Sequence, residues 1–365
     1  MLALAGLPLG LEFVFLDRAS DACARGLGRH LVADFSDESA LEELARDCDV
    51  LTVEFENVPS LTVRTLAQRT PTFPGETSLV AAQDRLAERR ALSDAGIPVP
   101  PYLGVDSEEQ FRAAVEELGL PAVLKTRRLG YDGKGMRVLR TQADVAEAWA
   151  TLGGVPSMLD TMVRFVREVS VIGVRGRDGQ TAFYPLVENY HQDGILRLSV
   201  PRPGDPVEDT AVGHTARLMD ALGHVGVMAV EFFDDGERLL ANELACRVHN
   251  SGHWTIEGAV TSQFENHLRA ILGLPLGSPA PRGEAAMVNI LGAMPKREDL
   301  LALPGVHLHD YGKQPRPGRK VGHATVAGVD ADTMDSSLKG LLAVVGMEDP
   351  RRVPVFQGDE DNAGR

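Results

Sequence analysis

The chain has 365 residues, and its 37 Lys and Arg against 52 Asp and Glu leave a formal charge of −15. A chain of this length is expected to form two or three domains, because single cores stop growing at roughly 250–300 residues. The hydrophobic share of 44% excludes a disordered or fibrous protein. The acidity argues against a protein that coats nucleic acid, although a local basic pocket can still bind a small phosphorylated ligand.

The cysteines and the N-terminus indicate the compartment. Cys23, Cys48 and Cys246 are an odd number without zinc-like spacing, which argues against a disulfide framework or metal site. The apolar start lacks the basic region and cleavage site of a signal peptide. No run reaches the roughly 20 apolar residues that cross a bilayer. We therefore expect a cytoplasmic protein without a membrane segment.

The first 75 or so residues alternate strands and helices. Residues 13–16 form a short apolar run typical of a buried parallel strand, and residues 50–53 form the next. A helix between them opens near Asp37. In such βαβ folds ligands gather beyond the carboxyl ends of strands. Glu54 and Glu56 follow the second strand at such a place, and the alternative is an ordinary polar strand end.

Two helices are predicted before the next strands. The first starts at residue 77 or 78, continues through 83–85, and is stopped by Gly96 and Pro98. The second is opened by a capping box at Ser107 and ends near residue 118. A strand at 123–125 follows.

A glycine-rich loop follows that strand, over residues 130–136. Three glycines in six residues let backbone N–H groups approach an anion closely. Basic side chains at 125, 127, 128 and 134 add positive charge where phosphate would sit. The pattern is not a P-loop, since no Gly-Lys-Ser/Thr opens a helix. The alternative is a plain hairpin turn.

Glu231 and Glu243 lie in two apolar runs that read as strands joined by a short turn. A carboxylate in an apolar strand is costly unless it is paired or bound to metal. A tight four-residue loop would oppose residues 231 and 240 and put the two glutamates on opposite faces. A five-residue loop at 235–239, or a bulge, would place them opposite each other, as a magnesium site requires. Salt bridges to arginine are the alternative.

Residues 247–254, Arg-Val-His-Asn-Ser-Gly-His-Trp, concentrate hydrogen-bond donors directly after the second acidic strand. Their histidines have no zinc-like partners. No Ser-His-Asp elbow or catalytic cysteine context is visible. His191 could contact a ligand or be structural. A surface loop is the alternative for 247–254.

Taken in order, these motifs resemble the 5-(carboxyamino)imidazole ribonucleotide synthase family, which are ATP-grasp ligases. The resemblance covers almost the whole chain, and its most specific parts are the 247–254 segment and the Gly130-Tyr131-Asp132-Gly133 loop. The matching stretches are 52–59, 83–85, 130–135, 165–170, 188–196, 242–245, 247–254, 262–265, 311–313 and 318–320.

The resemblance implies a mixed α/β and α+β architecture with an ATP-grasp fold. The expected units are an N-terminal βαβ domain (1–76), a linker helix and lid (77–185), a main ATP-grasp domain (186–285), a β-rich C-terminal subdomain (286–356) and a disordered tail (357–365). It also implies the reaction. ATP phosphorylates bicarbonate to carboxyphosphate with the help of Mg²⁺, and the amine of aminoimidazole ribonucleotide captures the carboxyl carbon. A homodimer is expected from the family.

The resemblance assigns roles to particular residues. The ATP phosphates would contact Arg85, Lys125, Gly130, Tyr131, Asp132, Gly133, Lys134, Gly135 and Met136. Adenine would contact Asp160, Thr161, Met162 and Val163, and the ribose hydroxyls would contact Glu168. His191 and Asn242 would also lie at the nucleotide, and Mg²⁺ would be held by Glu231 and Glu243. The catalytic set would be Tyr131, Asp132, Arg247, His249 and Lys313, and the substrate would also contact Glu54, Glu56, Asn250, Ser251 and Arg319.

The sequence also departs from the family pattern. A strand and a Gly-Gly-Gly-Gln-Leu-Gly-Arg loop normally precede the residue matching Met1, so we expect an inner strand of the first domain to be missing. Leu129 replaces a usual glycine, Met136 a glutamine, Asp160 a glutamate and Cys246 a proline. Two alternatives follow, a catalytically impaired ATP-binding scaffold and a related ligase such as the formate-dependent glycinamide ribonucleotide transformylase.

Overall fold

The computed structural model describes residues 1–130, 135–152 and 154–352. Tyr131, Asp132, Gly133 and Lys134 lie outside the described residues, and so does the tail predicted at 357–365. None of the helices in the described ranges is long and apolar enough to cross a membrane. Cys23, Cys48 and Cys246 are free thiols.

The N-terminal region contains two separate two-stranded parallel sheets. The apolar runs predicted as strands at 13–16 and 50–53 each supply a strand, but to different sheets, and their partners at 29–32 and 72–73 were not predicted. A cavity of about 1080 Å³ is lined by residues of both sheets. The pairs are β1 (Val14–Asp17) with β2 (Arg29–Val32), and β3 (Leu51–Thr52) with β4 (Thr72–Phe73). The helices here are α1 (Leu2–Gly6), α2 (Glu38–Asp47) and α3 (Ser60–Ala67).

The single helix predicted from residue 77 or 78 is wrong. The chain forms α4 (Glu76–Gln83) and α5 (Arg85–Asp94), which meet at Asp84. Asp84 is extended, and its Oδ1 accepts the Leu86 N–H at 3.0 Å. A side-chain cap of this kind satisfies a free N–H at a helix start, so it opens a second helix here. Gly96, with φ +68°, follows the end of α5 as predicted.

A small antiparallel sheet carries Lys125. Two helices pack on it, and the Ser107 hydroxyl caps the first by accepting the Gln110 N–H at 3.2 Å. The core between sheet and helices includes Phe111, Leu124 and Leu159. In spatial order the strands are β5 (Tyr102–Val105), β8 (Ser157–Thr161), β6 (Ala122–Thr126) and β7 (Met136–Leu139), and the helices are α6 (Glu108–Leu118) and α7 (Gln142–Leu152).

Nine strands of the described residues form one antiparallel sheet, which extends from the central region into the C-terminal region. In spatial order they are β14 (Leu239–Ala245), β13 (Gly226–Asp234), β9 (Arg167–Arg175), β11 (Val187–Gln192), β12 (Ile195–Pro201), β15 (Ala285–Gly292), β17 (Arg316–Ala327) and β16 (Val306–Asp310), while β10 (Thr181–Phe183) pairs with β9.

Residues 167–183 do not lie in the small sheet, where the expected lid range of 77–185 would place them. The strands β9 and β10 belong to the nine-stranded sheet. The physical reason is visible in β9, whose residues 169–174 are all buried, as in a strand covered on both faces. The other expected domain limits stay predictions.

Helices cover both faces of this sheet. On one face the helix at residues 208–221 shares a core with Val169, Val171 and Met228. On the other face the helix at residues 263–272 shares a core with Ile172 and Val227. The C-terminal strands pack against α12. The bounds are α8 (Glu208–Ala221), α9 (Thr255–Gly258), α10 (Gln263–Leu272), α11 (Arg297–Leu301) and α12 (Ala331–Val344).

Candidate active site

Glu231 and Glu243 face each other across β13 and β14. Asp234 pairs with Leu239 at the end of the hairpin, and a bulge after Glu231 then shifts the register so that Glu231 pairs with Glu243. Asn242 is the extra residue of this bulge. The arrangement is the one that the magnesium interpretation requires, and it arises from a bulge and not from a longer loop.

The electrostatics of this pair suit a cation. Burial raises the pKa of Glu231 to about 7; His191 opposes that shift and Glu243 adds to it. Facing carboxylates repel each other unless a positive charge lies between them. No group of three or more His, Cys, Asp or Glu in the described ranges is arranged for a metal. Two carboxylates nevertheless fit Mg²⁺, which is usually bound by one or two carboxylates together with substrate phosphates and water.

Lys125 is buried at the end of β6 and held by a carboxylate. Its Nζ donates to Asp160 Oδ2 at 2.7 Å, and Arg89 Nη2 donates to the same oxygen at 3.1 Å. Burial lowers the pKa of Lys125, and Asp160 opposes this change. Burial also acts to raise the pKa of Asp160, but Lys125 and Arg89 outweigh it, so that pKa lies below its usual value. Asp160 therefore stays ionised and holds both cations in place.

This geometry limits which groups of residues 160–163, predicted to contact adenine, are available to do so. The Asp160 side chain is used by Lys125 and Arg89. The backbone N–H groups of Thr161 and Met162 donate to the carbonyls of Pro101 and Pro121. Contacts of this edge with adenine would therefore use carbonyl groups or Val163, and they stay a prediction.

A cleft connects the small sheet with the Glu231–Glu243 pair. Arg85, the first residue of α5, lies with Nη1 3.6 Å from Glu243 Oε2. Polar side chains dominate the lining, so the cleft suits a charged ligand. The lining residues are Glu56, Asn57, Ala82, Gln83, Arg85, Glu88, Arg127, Leu129, Gly130 and Glu243.

The described ends of the glycine-rich loop also border this region. Gly135 has φ +72°, and a Cβ there would lie 2.4 Å from the Thr126 hydroxyl, so only glycine fits. Met136 begins β7. Leu129 adopts φ +62°, a left-handed conformation that suits the glycine usual in the family better than leucine.

Glu168 on β9 and His191 on β11, both predicted to lie at the nucleotide, are on adjacent strands of the large sheet. His191 Nδ1 is 3.1 Å from Glu168 Oε1. Burial acts to lower the pKa of His191, but Glu168 and then Glu231 raise it to about 9. This imidazole is therefore positively charged at neutral pH. Asn242 contributes its backbone carbonyl, which accepts a hydrogen bond from Arg89 Nη1 at 2.6 Å.

The 247–254 segment contacts both acidic groups. Arg247 Nη2 is 3.1 Å from Glu56 Oε2, and His249 Nε2 is 3.5 Å from Glu231 Oε1. Burial raises the pKa of Glu56, and Arg247 opposes that increase. Burial, followed by Arg247, holds the pKa of His249 well below its usual value. The imidazole is therefore neutral.

Amide side chains fix this segment to the fold. Gln263 accepts the His249 N–H at 3.0 Å through Oε1 and donates to its carbonyl at 2.6 Å through Nε2. Asn250 and Asn289 exchange two hydrogen bonds, at 3.1 and 2.7 Å. Ser251 is buried beside them. The segment is therefore a built structure and not a loose surface loop.

The other predicted substrate residues are less clearly placed. Glu54 is exposed. Lys313 lies with Nζ 5.0 Å from the centre of the Tyr311 ring, and Arg319 Nη1 donates to the Gln314 carbonyl at 3.2 Å. The roles of all three stay predictions.

Several residues of the site had no role predicted from the sequence. Arg89 ties Asp160 to the bulge at Asn242, and Lys320 lies close enough to His249 to lower its pKa. The helical spacing of Arg85, Glu88 and Arg89 was a usable signal, because residues three and four apart share a helix face. Gln263 and Lys320 lie in the matching stretches 262–265 and 318–320 but were assigned no role, and Asn289 gave no comparable signal.

Three family models match the chain in order. Residues 1–83 match the ribonucleotide synthetase preATP-grasp domain, 90–264 the ATP-grasp domain, and 285–337 the phosphoribosylaminoimidazole carboxylase C-terminal domain. Fold and site thus define an ATP-grasp ligase, as the sequence predicted.

Individual relatives narrow this class. The N5-carboxyaminoimidazole ribonucleotide synthase of Pseudomonas aeruginosa is 52% identical over 345 residues, 94% of this chain and 96% of the relative. The crystal structure of the Thermus thermophilus synthetase is 50% identical with a TM-score of 0.91, and the match covers 95% of this chain and 96% of that one. The Aspergillus clavatus enzyme, solved with ADP and 5-aminoimidazole ribonucleotide, is 30% identical with a TM-score of 0.87 and 95% coverage of both chains. The chain belongs to the N5-carboxyaminoimidazole ribonucleotide synthase family.

Proposed function

We propose that this enzyme carboxylates 5-aminoimidazole ribonucleotide with bicarbonate in purine biosynthesis, with hydrolysis of ATP to ADP and phosphate. The product is N5-carboxyaminoimidazole ribonucleotide, and carboxyphosphate is the intermediate. One observation carries the proposal: Arg85 approaches Glu243, Glu243 faces Glu231, and Glu231 approaches His249. This chain of contacts links a polar cleft, which Arg85 and Arg127 help to line, with the donor-rich 247–254 segment.

Phosphoryl transfer to bicarbonate depends on positioning and on neutralising charge. Arg85, Lys125 and the 130–136 loop would hold the ATP phosphates. The buried Lys125 is already oriented by Asp160, so little side-chain freedom is lost when a phosphate arrives. Glu231 and Glu243 would hold Mg²⁺, which supplies positive charge at the phosphate oxygens.

Carboxyphosphate hydrolyses readily, so the site has to exclude water while the amine attacks. Arg247, oriented by Glu56, would stabilise bicarbonate and carboxyphosphate. Asp132 is the proposed acceptor of the amine proton, and Tyr131 is proposed to help frame the same substrates. The ribonucleotide would contact His249, Asn250, Ser251, Lys313 and Arg319, with Glu54 and Glu56 at the edge of the site.

Two further proposals come from the family and the sequence. The enzyme works as a homodimer, and it acts in the cytoplasm, which the three free thiols support. Size-exclusion chromatography with light scattering tests the first.

The test of the reaction is a substrate-requirement assay on the purified chain. We expect ADP release to need both bicarbonate and aminoimidazole ribonucleotide for full rate, and ¹³C from bicarbonate to appear in the ribonucleotide. ADP release that requires formate and ignores bicarbonate would instead support the transformylase alternative. Binding of ATP without any turnover would support the impaired scaffold.

A further inference from the structure

A buried row of polar side chains runs beneath His249. Ser170, Asn189 and Ser199 lie on the adjacent strands β9, β11 and β12, and all three are less than 5% exposed. Ser170 pairs with Glu231 across β9 and β13, and Asn189 pairs with Ser199 across β11 and β12. Directly paired residues share a sheet face. The row therefore lies on the face that carries the acidic pair.

The hydrogen bonds of this row form one unbroken chain. Ser199 Oγ donates to Asn189 Oδ1 at 2.8 Å, and Asn189 Nδ2 donates to Ser170 Oγ at 2.8 Å. The two hydroxyls of Ser170 and Ser251 are 2.9 Å apart. Ser251 Oγ then lies 2.9 Å from His249 Nδ1.

The direction of the chain follows from its amide. An amide nitrogen can only donate, so Ser170 accepts from Asn189 and its own proton points to Ser251. The Ser251 hydroxyl then donates to Nδ1 of His249. A second donor agrees, because the backbone N–H of Ser251 points at the same nitrogen at 3.3 Å. Nδ1 is therefore an acceptor, and the ring proton is on Nε2, the atom that faces Glu231.

We infer that Asn189 and Ser170 are positioning residues that fix His249 as the neutral tautomer protonated on Nε2. His249 then offers a hydrogen-bond donor to anionic groups at the acidic pair, and it does not serve as a base through that nitrogen. This inference rests on the proposed function. In that reaction His249 donates a hydrogen bond to an oxygen of bicarbonate or carboxyphosphate, and another group accepts the amine proton.

The test is the tautomer itself, measured at neutral pH by long-range ¹H–¹⁵N correlation on protein labelled with ¹⁵N-histidine. The His249 signals are assigned by their loss in His249→Gln. We expect unprotonated Nδ1 and protonated Nε2 in the unmodified enzyme. A ring protonated on Nδ1 would overturn the inference, whatever the catalytic activity of the protein.

Variants test the role of the row. Asn189→Asp replaces a hydrogen-bond donor by an acceptor, so the Ser170 and Ser251 hydroxyls should donate in the opposite direction along the chain. We then expect an additional population of His249 that is protonated on Nδ1. The double variant with Ser170→Ala breaks the connection, and the backbone N–H of Ser251 should then restore the original tautomer. Ser337→Ala, which removes a buried hydroxyl in α12, is the matched control and should leave the spectrum unchanged.

Circular dichroism shows whether each variant is folded. If Asn189→Asp does not fold, Ser199→Ala offers a second route, because it frees the Asn189 amide to rotate and should produce both tautomers. A folded Asn189→Asp or Ser199→Ala protein that shows only the tautomer of the unmodified enzyme would refute the role of Asn189. None of these readouts uses turnover, so failure here is distinct from failure of the proposed reaction.

Discussion

Lys125 and Asp160 form an ion pair at 2.7 Å between two adjacent strands of the small sheet, and both side chains are buried. Arg89 from α5 joins the same carboxylate oxygen and also reaches the backbone of β14. One aspartate thus connects the proposed phosphate-binding lysine with the strand that carries Glu243. The nucleotide-binding side and the acidic side of the cleft are therefore held by one buried cluster.

Asp160→Asn is expected to weaken both stability and ATP binding. The change removes the carboxylate that two buried cations share and leaves only Glu88, 3.9 Å from Arg89, beside them. Breaking a buried pair in this way typically costs about 3–5 kcal/mol of unfolding free energy. Urea unfolding measures the loss, and the ATP dependence of ADP release should shift to higher concentrations. Asp94→Asn, at an exposed position of α5, is the control. Equal stability of the two variants would contradict the role of the cluster.

Glu243→Gln should abolish ADP formation while the fold stays intact. The substitution removes one of the two carboxylates that face each other, and with it half of the charge proposed to hold Mg²⁺. Glu237→Gln changes an exposed residue of the same hairpin and should retain activity. Steady-state ADP release at several Mg²⁺ concentrations is the measurement. Unchanged turnover in Glu243→Gln would rule out its metal role.

Lys313→Ala should raise the concentration of aminoimidazole ribonucleotide needed for half-maximal rate more than that of ATP. The reason is the loss of one cation proposed to contact the ribonucleotide, and a charged contact of this kind contributes about 1.5–3 kcal/mol, or roughly a 10- to 150-fold change. Lys296→Ala, at an exposed position, serves as control. If the ribonucleotide dependence does not change, Lys313 has no substrate role.

Stability should fall between pH 6.5 and pH 4 because of two buried histidines. Burial lowers the pKa of His224 to about 4 and that of His267 to about 3. Below about 6.5 the unfolded chain binds protons that the folded chain does not, so each histidine removes up to about 1.4 kcal/mol per pH unit as the pH falls. This stability is fully present above pH 6.5.

Urea unfolding at several pH values measures that slope. His224→Asn should reduce it, whereas His307→Asn, at an exposed position, should not. A slope that is the same in all three proteins would show that His224 makes no contribution.

The sequence predicted the parts of this molecule that follow from local pattern. Apolar runs located both strands of the acidic hairpin. Ser107 and Gly96 marked helix ends, because side-chain caps and positive φ angles are local properties. The family, the fold class and the use of ATP followed from motifs in order.

What the sequence did not predict depends on contacts between distant residues. The break at Asp84 depends on its helix cap and is reinforced by arginines 43 and 44 residues further along the chain. The use of the Asp160 side chain depends on Arg89 in another region. The sequence did not decide between two registers of the β13–β14 hairpin, because the bulge at Asn242 could not be located. Periodicity gives the face of a strand but not the position where an extra residue is accommodated.

That bulge also limits how the hairpin can be altered. Asn242 is the extra residue of the bulge, so its deletion would leave Glu243 opposite Glu231 in the regular register that pairs Phe232 with Ala241. One residue inserted between Ala241 and Glu243 would instead move Glu243 opposite Val230 and onto the other face of the sheet. The exposed turn at 236–238 lies before this point and is free of the constraint. A fluorescent label or short peptide tag could therefore be inserted in the turn, whereas a residue inserted in β14 ahead of Glu243 would displace one carboxylate of the facing pair.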